Sequence, residues 1–441
     1  MRSANWALAS VTGISTTMRS AYKQRILYRT YVTVTGVTQE PSLRRNGDFA
    51  RLWTGQAAAA FGGAMAALVY PLLALATTGS AATAGLIGFL GLGAATLIRL
   101  PAGVLIDRWP LRRVLVGGDL LRAVVAAAVA AALVLGHLHI AVLAVTALLG
   151  GLCAGFTDTA QSVAVRHVVP AAQLPTAFAL NDGRGHAVSL LGQPAGGFLY
   201  GIAASVPVLG SALAYLTAAV LTLTIRHPLR DPNRVDSPPQ PLRPDLLTGL
   251  AFIRTEPFLR TTLLCAAGYQ FVFTGIHLAL IVTLTRQGVS SLSVGTVFSI
   301  AAVGGLLGAA TAHWLQGKLP PPVLVIGMGW ITVVTLASLA WVTNPLAVGA
   351  ILGLTYAVSA PANALLAATQ ILRTPHHLQG RVVAAAFLIA GAAAPLGAPA
   401  AGALLDQVGQ PGTFLTGSAL IVMITIAMHA SRSIRTMIRP A

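Results

Sequence analysis

Gly103-Val104-Leu105-Ile106-Asp107-Arg108-Trp109-Pro110-Leu111-Arg112-Arg113 sets one acid and three arginines between two long apolar runs. A helix that crosses a bilayer needs about 20 consecutive, mostly apolar residues. Residues 83–106 and 113–136 both meet that length, so the stretch reads as a short polar connection between two membrane helices. Working outward, the same pattern gives twelve spans, near 50–77, 83–106, 113–136, 139–165, 174–203, 208–227, 258–285, 291–316, 321–343, 346–372, 381–405 and 412–430. The 441 residues are 55% hydrophobic and only 9% charged, against roughly 25% charged in soluble domains. The glycines and prolines fall largely inside the apolar runs, as they do in membrane helices. The short alternating segments of a barrel are missing, and backbone groups in lipid must be satisfied internally, so the expected fold is an all-α integral membrane protein.

The charges orient the spans. With the N-terminus taken as cytoplasmic, 24 of the 28 Lys and Arg fall on the cytoplasmic side. Arg286 alone falls outside, and Arg99, Arg122 and Arg184 lie within spans. That asymmetry follows the positive-inside rule, so both termini are expected in the cytoplasm of a cell producing a multi-pass plasma-membrane protein. The net charge of +17 is therefore mostly topological. No aromatic-interleaved basic patch accompanies it, and no nucleic-acid partner is expected. Cys153 and Cys265 lie in apolar runs and read as packing residues. Residues 1–45 read as a disordered cytoplasmic tail without a signal peptide, with Met18 as an alternative start. Residues 228–257 read as a cytoplasmic linker, semi-rigid over its prolines at 228, 232, 238, 239, 241 and 244. It divides six spans (46–227) from six (258–430), and 431–441 form a cytoplasmic tail.

The halves repeat. At an offset of about 205 residues, Gly103 meets Gly308, Arg113 meets Lys318 and Pro170 meets Pro375. In the same register Gly192-Gln193-Pro194-Ala195-Gly196-Gly197 meets Gly397-Ala398-Pro399-Ala400-Ala401-Gly402. Two parallel six-helix halves are an architecture of secondary transporters.

The connection at 103–113 resembles the signature G-x-L-x-D-R-x-G-R-[RK] of the major facilitator superfamily, with Pro110 in the usual glycine place. The resemblance implies two pseudo-symmetric six-helix bundles and a gating role for Gly103, Asp107, Arg108, Arg112 and Arg113. Read by topology alone, the arginines only fix orientation. In the second half the aligned positions are Ala312 and His313, so the bracing is expected to be asymmetric. Asp48-Phe49-Ala50-Arg51-Leu52-Trp53-Thr54-Gly55-Gln56 and Arg166-His167-Val168-Val169-Pro170 resemble the drug and siderophore exporter branch, which includes macrolide-efflux and enterobactin-exporter-like proteins. Gly192, Pro194, Gly196 and Gly197 resemble the antiporter helix-packing motif G-P-x-x-G-G, with Gln193 in the first proline's place. Exporters of this branch often carry an acid after a glycine in the first span. Here Phe61-Gly62-Gly63-Ala64 has none, so any proton must be carried elsewhere.

Ionisable groups at membrane depth are costly, by about 2.5–3.5 kcal/mol on insertion scales, and are functional candidates. Helical rise puts Arg99, Arg122, Asp158, Asp182 and Arg184 in the cytoplasmic half of the first bundle. Asp119 and Arg122 share one helix face. In one reading Asp158 or Asp182 binds a proton and Arg99 or Arg184 responds. In the other, the ions are permanently paired and tie helices together. His186, His277 and His313 lack a second ligand at metal spacing, so no metal is expected.

The polar and aromatic groups at mid-depth are the candidate cavity: Gln56, Phe61, Met65 and Tyr70 on the first span, Gln161 on the fourth, Tyr269, Gln270, Phe273, Thr274 and His277 on the seventh, and Asn363 and Gln370 on the tenth. Aromatics with sparse amides suit a small amphipathic organic substrate. The sequence has no HExxH, GxSxG or His-rich cluster of an enzyme. The expectation is a monomeric, cofactor-free antiporter in the lipid bilayer that exports antibiotics, drugs or siderophores on a proton gradient. Alternatives are an importer of the same fold and a non-transporting sensor or scaffold.

Overall fold

The computed structural model describes residues 43–106, 109–227, 229 and 242–437. Asp107 and Arg108, most of the proline-rich linker and the side chains of Asp182 and His186 lie outside the described residues. Six helices form the first half: α1 (Gly47–Thr78), α2 (Ala81–Ile106), α3 (Leu111–Val134), α4 (Ile140–Val168), α5 (Leu174–Ile202) and α6 (Ser205–Leu223). A short helix α7 (Leu242–Thr255) precedes α8 (Pro257–Arg286), α9 (Ser291–Lys318), α10 (Pro321–Ser338), α11 (Pro345–Leu372), α12 (Gln379–Ala392), α13 (Ala394–Ala430) and a last turn, α14 (Arg432–Arg435). No strand occurs among the described residues.

Among the described residues, ten segments are long and apolar enough to cross a membrane. One of them, Gln379–Ala430, has 52 residues, which at about 1.5 Å per residue far exceeds one hydrocarbon thickness of about 30 Å. It breaks at Gly409 (φ 68°, ψ −168°), so it carries two crossings. The 29-residue α5, with Asn181, Asp182 and Arg184 in its path, supplies the remaining crossing of the expected twelve.

Local chemistry sets the helix ends. Ser290 caps α9 by accepting the Ser293 N–H at 3.3 Å, and Asn344 caps α11 by accepting those of Leu346 and Ala347 at 2.9 and 3.2 Å. Gly79 and Gly288 end the paired helices α1 and α8 with φ of 70° and 77°, a conformation that favours glycine. The repeat register recurs in detail. Pro170 is followed by a 3-10 turn at Ala171–Gln173, and Pro375 by one at His376–Leu378.

Two features depart from the sequence reading. The expected single span 381–405 is interrupted at Ala393, between α12 and α13. Pro395 explains the break, because it lacks the N–H that would continue the helix and restricts the residue before it. The end of the linker is also more than a spacer. It forms α7, whose Gly249 lies directly on the Arg381 backbone of α12 and whose Ile253 is buried in the same cluster as Phe258 and Val382.

The halves meet where backbones nearly touch. A Cβ on Gly85 of α2 would lie 2.5 Å from the Ala398 carbonyl of α13, and Gly402 of α13 abuts the Ala81 carbonyl of α2. On the other seam, a Cβ on Gly295 of α9 would lie 2.7 Å from the Gln193 carbonyl of α5, and Gly197 of α5 abuts the Ser291 carbonyl of α9. Both seams lie away from the basic loops, on what is called here the far side. Towards the basic side the approach is lost. About five turns along α2 from Gly85, on the same helix face, a Cβ on Gly103 would meet nothing within 4 Å.

Within the second half, Gly304 of α9 rests on the Gly353 backbone of α11, whereas nothing lies within 4 Å of a Cβ on Gly317. G304L is expected to destabilise the purified protein by about 3 kcal/mol through overpacking, read as a lower melting temperature, while G317L melts like the wild type.

Candidate functional site

Asp119 sits two turns into α3 from the basic side and is 2% exposed. Its Oδ1 lies 3.7 Å from Nη1 of Arg122, one turn on, and has no hydrogen-bond partner among the described residues. Arg122 turns instead to α6. Its Nη2 donates to the Tyr215 hydroxyl at 3.0 Å, and its guanidinium lies over the Tyr215 ring at 3.9 Å. A Cβ on Gly63 of α1 would come 3.4 Å from that Nη2, so the absence of a side chain there makes room for the arginine. A cation in a low-dielectric interior needs such partners.

Two further contacts lie nearby. Arg99 of α2 pairs with Asp158 of α4 at 3.1 Å, with both side chains more than half exposed. Arg184 of α5 donates to Gln56 of α1 at 2.5 Å, and Gln56 is buried. Asp158 is within electrostatic reach of Asp119, Arg122 and Arg184. The structure thus gathers Arg99, Asp119, Arg122, Asp158 and Arg184 in one region and separates them by exposure, with Asp119 innermost. The position of Asp182 on α5 is described, but its contacts are not.

Of the 103–113 connection, Asp107 and Arg108 lie outside the described residues, and the contacts of the rest stay within the first half. Arg112 donates to the Ile225 carbonyl at the end of α6, a bond within its own half. Asp48 anchors the same segment by accepting the Arg226 and His227 N–H groups at 3.0 and 2.8 Å, and it pairs with Arg51 at 2.8 Å. Arg113 is exposed, and Trp109 stacks on Phe156 of α4 with centroids 6.0 Å apart. Gly103 makes no close helix contact.

The candidate cavity residues divide into two groups. Tyr269 and Phe273 of α8 stack at 6.1 Å, and Phe273 meets Tyr356 of α11 at 6.0 Å, forming an aromatic ladder. Gln270 and Asn363 are exposed beside it, and Phe61, Gln161 and Thr274 are partly buried. The others are taken up by packing. Gln370 donates to Thr262 of α8 at 3.1 Å, so it ties α11 to α8. Met65 is buried under Gly196, Tyr70 packs on the central core, and His277 lies against Phe298 of α9 at 4.2 Å. The glycines of the α5 motif seat that helix on two neighbours. Gly192 faces Ala64 and Gly196 faces Met65 of α1, while Pro194 and Gly197 face α9.

Sequence reasoning missed the contact that closes the far side. Asp406, just before the Gly409 break within α13, accepts the Ser80 hydroxyl at 3.0 Å and the Ala81 and Ala82 N–H groups at 3.2 and 2.9 Å. A carboxylate from the second half thereby caps α2 of the first. Arg286, at the end of α8, pairs with Asp406 at 2.7 Å and donates to the Gly79 carbonyl at 3.1 Å. The available signal was Arg286 itself, the basic residue left outside by the charge map, in need of an acid. Tyr215 and Tyr356 gave no such signal, since tyrosines in apolar runs mostly pack. Among the described residues no three His, Cys, Asp or Glu side chains cluster to hold a metal.

The family model of the Major Facilitator Superfamily matches residues 52–398. The chain is 27% identical over 388 residues to the multidrug efflux pump Tap of Mycolicibacterium fortuitum, covering 83% of this chain and 91% of that protein. Among solved structures, it is similar to the nucleoside transporter NupG, with a TM-score of 0.68 at 13% identity, covering 87% of this chain and 99% of that one. It is also similar to a bacterial homologue of the iron transporter ferroportin in an inward-facing state, with a TM-score of 0.68 at 15% identity, covering 88% and 98%. At these identities the structures show the fold.

The far-side clamp can be measured directly. Spin labels at His137 and Thr343, on exposed far-side connections of the two halves, are expected to move apart in D406A, which removes the charge-assisted bonds and the α2 cap. R286A should shift the distances less, because the Ser80, Ala81 and Ala82 donors remain. Unchanged distances in D406A would show that the glycine seams alone hold the far side shut.

Proposed function

The chain belongs to the major facilitator superfamily, and we propose that within it this protein is a proton-coupled exporter of amphipathic small molecules such as antibiotics, drugs or siderophores. The observation that carries the substrate class is the Tyr269–Phe273–Tyr356 ladder. Tyr269 stands about 18 Å along α8 from its start, near mid-depth. Two phenol rims and a phenyl face offer apolar surface with few fixed polar contacts, which suits bulky amphipathic molecules of varied shape. The relative named as a multidrug efflux pump, similar over most of both chains, supports the same class.

Direction and mechanism are read from charge and closure. The positive-inside rule supports a cytoplasmic side at the basic loops. The protein then has its outer side clamped by Asp406 and its α2–α13 seam parted on the cytoplasmic side, the arrangement needed to admit a molecule from within. Export follows when the halves rock about the cavity, the outer clamp releasing as the cytoplasmic side closes. A proton and a substrate drive that exchange only if each binds one arrangement more tightly than the other. The buried ionisable groups of the first half supply the proton site.

Cells producing the protein are expected to accumulate less ethidium or macrolide than cells lacking it, with the difference abolished by a protonophore. F273A and Y356A should raise accumulation towards the level without protein while leaving the amount of folded protein unchanged. Higher accumulation in producing cells would reverse the direction and favour import.

A further inference from the structure

Asp158 and Asp182 are the carboxylates that depth along the helix singles out, yet Asp158 is paired with Arg99 and more than half exposed. Asp119 is 2% exposed, and no donor among the described residues reaches its Oδ1. A charged carboxylate there would draw the neighbouring guanidinium into contact, because an unpaired buried charge is far costlier than a buried neutral acid. The Arg122 Nη1 instead stands off at 3.7 Å, while that side chain bonds and stacks on Tyr215.

From this geometry we infer that Asp119 carries the coupling proton, and that Arg122 is a two-position arm which rests on Tyr215 when Asp119 is neutral and swings onto it when the proton leaves. The inference rests on the proton-coupled reading above and names the site for it. The step balances: the carboxylic O–H of Asp119 breaks, the proton passes by way of the Asp158 carboxylate to water on the cytoplasmic side, and the Asp119 carboxylate left behind is neutralised by the arginine. No group changes oxidation state.

The groups facing the site agree with this division. From α4, Cys153 and Asp158 approach, with Thr157 against Gly118 of α3. Asp158, half exposed and within electrostatic reach of both Asp119 and Arg122, stands between the site and water as a relay. From α6 comes Tyr215, and from α1 come Tyr70 and the open position at Gly63. When Arg122 leaves Tyr215, α3 loses this one polar tie to α6 beside α1, while the Arg112 bond to the Ile225 carbonyl remains. The proton thus changes how these helices are joined, as coupling requires.

Infrared difference spectra of the purified full-length protein between acidic and alkaline buffer test this without a transported substrate. The expected result is a carboxylic C=O band that is lost in D119N, shifted in D119E and retained in D158N. Y215F, which removes the hydroxyl that holds Arg122 away, should shrink the band at neutral pH. In liposomes, ethidium transport driven by an imposed pH gradient should be lost in D119N while gradient-free ethidium counterflow is retained. A band that survives in D119N, or gradient-driven transport retained in that variant, overturns the assignment and leaves proton-coupled export standing. Wild-type ethidium transport that ignores the gradient overturns the reading first, and the coupling role of Asp119 with it.

Discussion

Two helical halves in lipid gain little from burying apolar surface against each other, because lipid tails are as apolar as leucine. Their association depends on close van der Waals approach, and close approach depends on residues without side chains. Gly85 and Gly402 let α2 and α13 touch backbone to backbone, and Gly197 and Gly295 do the same for α5 and α9. These four positions set the distance at which Asp406 can reach the start of α2. Only at that separation does a side chain as short as aspartate bridge the halves.

The same poverty of polar groups makes each charge informative. Asp406 has three donors from α2 and its approach, plus Arg286, a complete set for a carboxylate. Asp48 has two backbone N–H groups and Arg51. Both sit at helix ends, outside the deepest part of the fold, and both join elements that must be held. Asp119 differs in kind, being buried and short of donors among the described residues, whereas Asp48, Asp158, Glu256 and Asp406 are each closely paired. That contrast within one chain, rather than burial alone, separates an anchoring acid from one whose charge is meant to change.

Span count and the two-fold repeat are legible in the sequence because each rests on a pattern about 20 residues long or on many aligned positions. The register that aligns Pro170 with Pro375 also aligns the 3-10 turns after them. The break at Ala393 was less legible, since Pro395 sits in a run that is apolar on both sides. The helix α7 was hidden because prolines at 238, 239, 241 and 244 dominate the segment that leads into it. At the candidate site, depth along a helix is readable from numbering, whereas the direction a side chain faces depends on neighbours. Asp119 and Asp158 both lie near the cytoplasmic half, and only the packing of α3 against α6 and of α4 against α2 shows that one is enclosed and the other open. Gln370 looked like a cavity amide for the same reason, until its bond to Thr262 showed it holding two helices together.

The ionisable cluster lies in the first half and the aromatic ladder in the second, so coupling has to cross between them. α5 is one element that runs from the cluster to the second half. Arg184 on α5 holds Gln56 of α1, Gly192 and Gly196 seat α5 on the α1 stretch that includes Gly63, and Gly197 and Ser299 bind it to α9. α9 in turn packs through Gly304 and Gly308 on α11, the helix that carries Tyr356. Close backbone contacts without side chains permit little independent sliding. A shift of α6 against α3, produced when Arg122 changes partner, would be passed to α1 through Gly62, which packs on Ser211 of α6, and felt along α5 as a displacement. The far-side seam is the surface on which that displacement acts, which places the Asp406 clamp at the receiving end of the proton's effect.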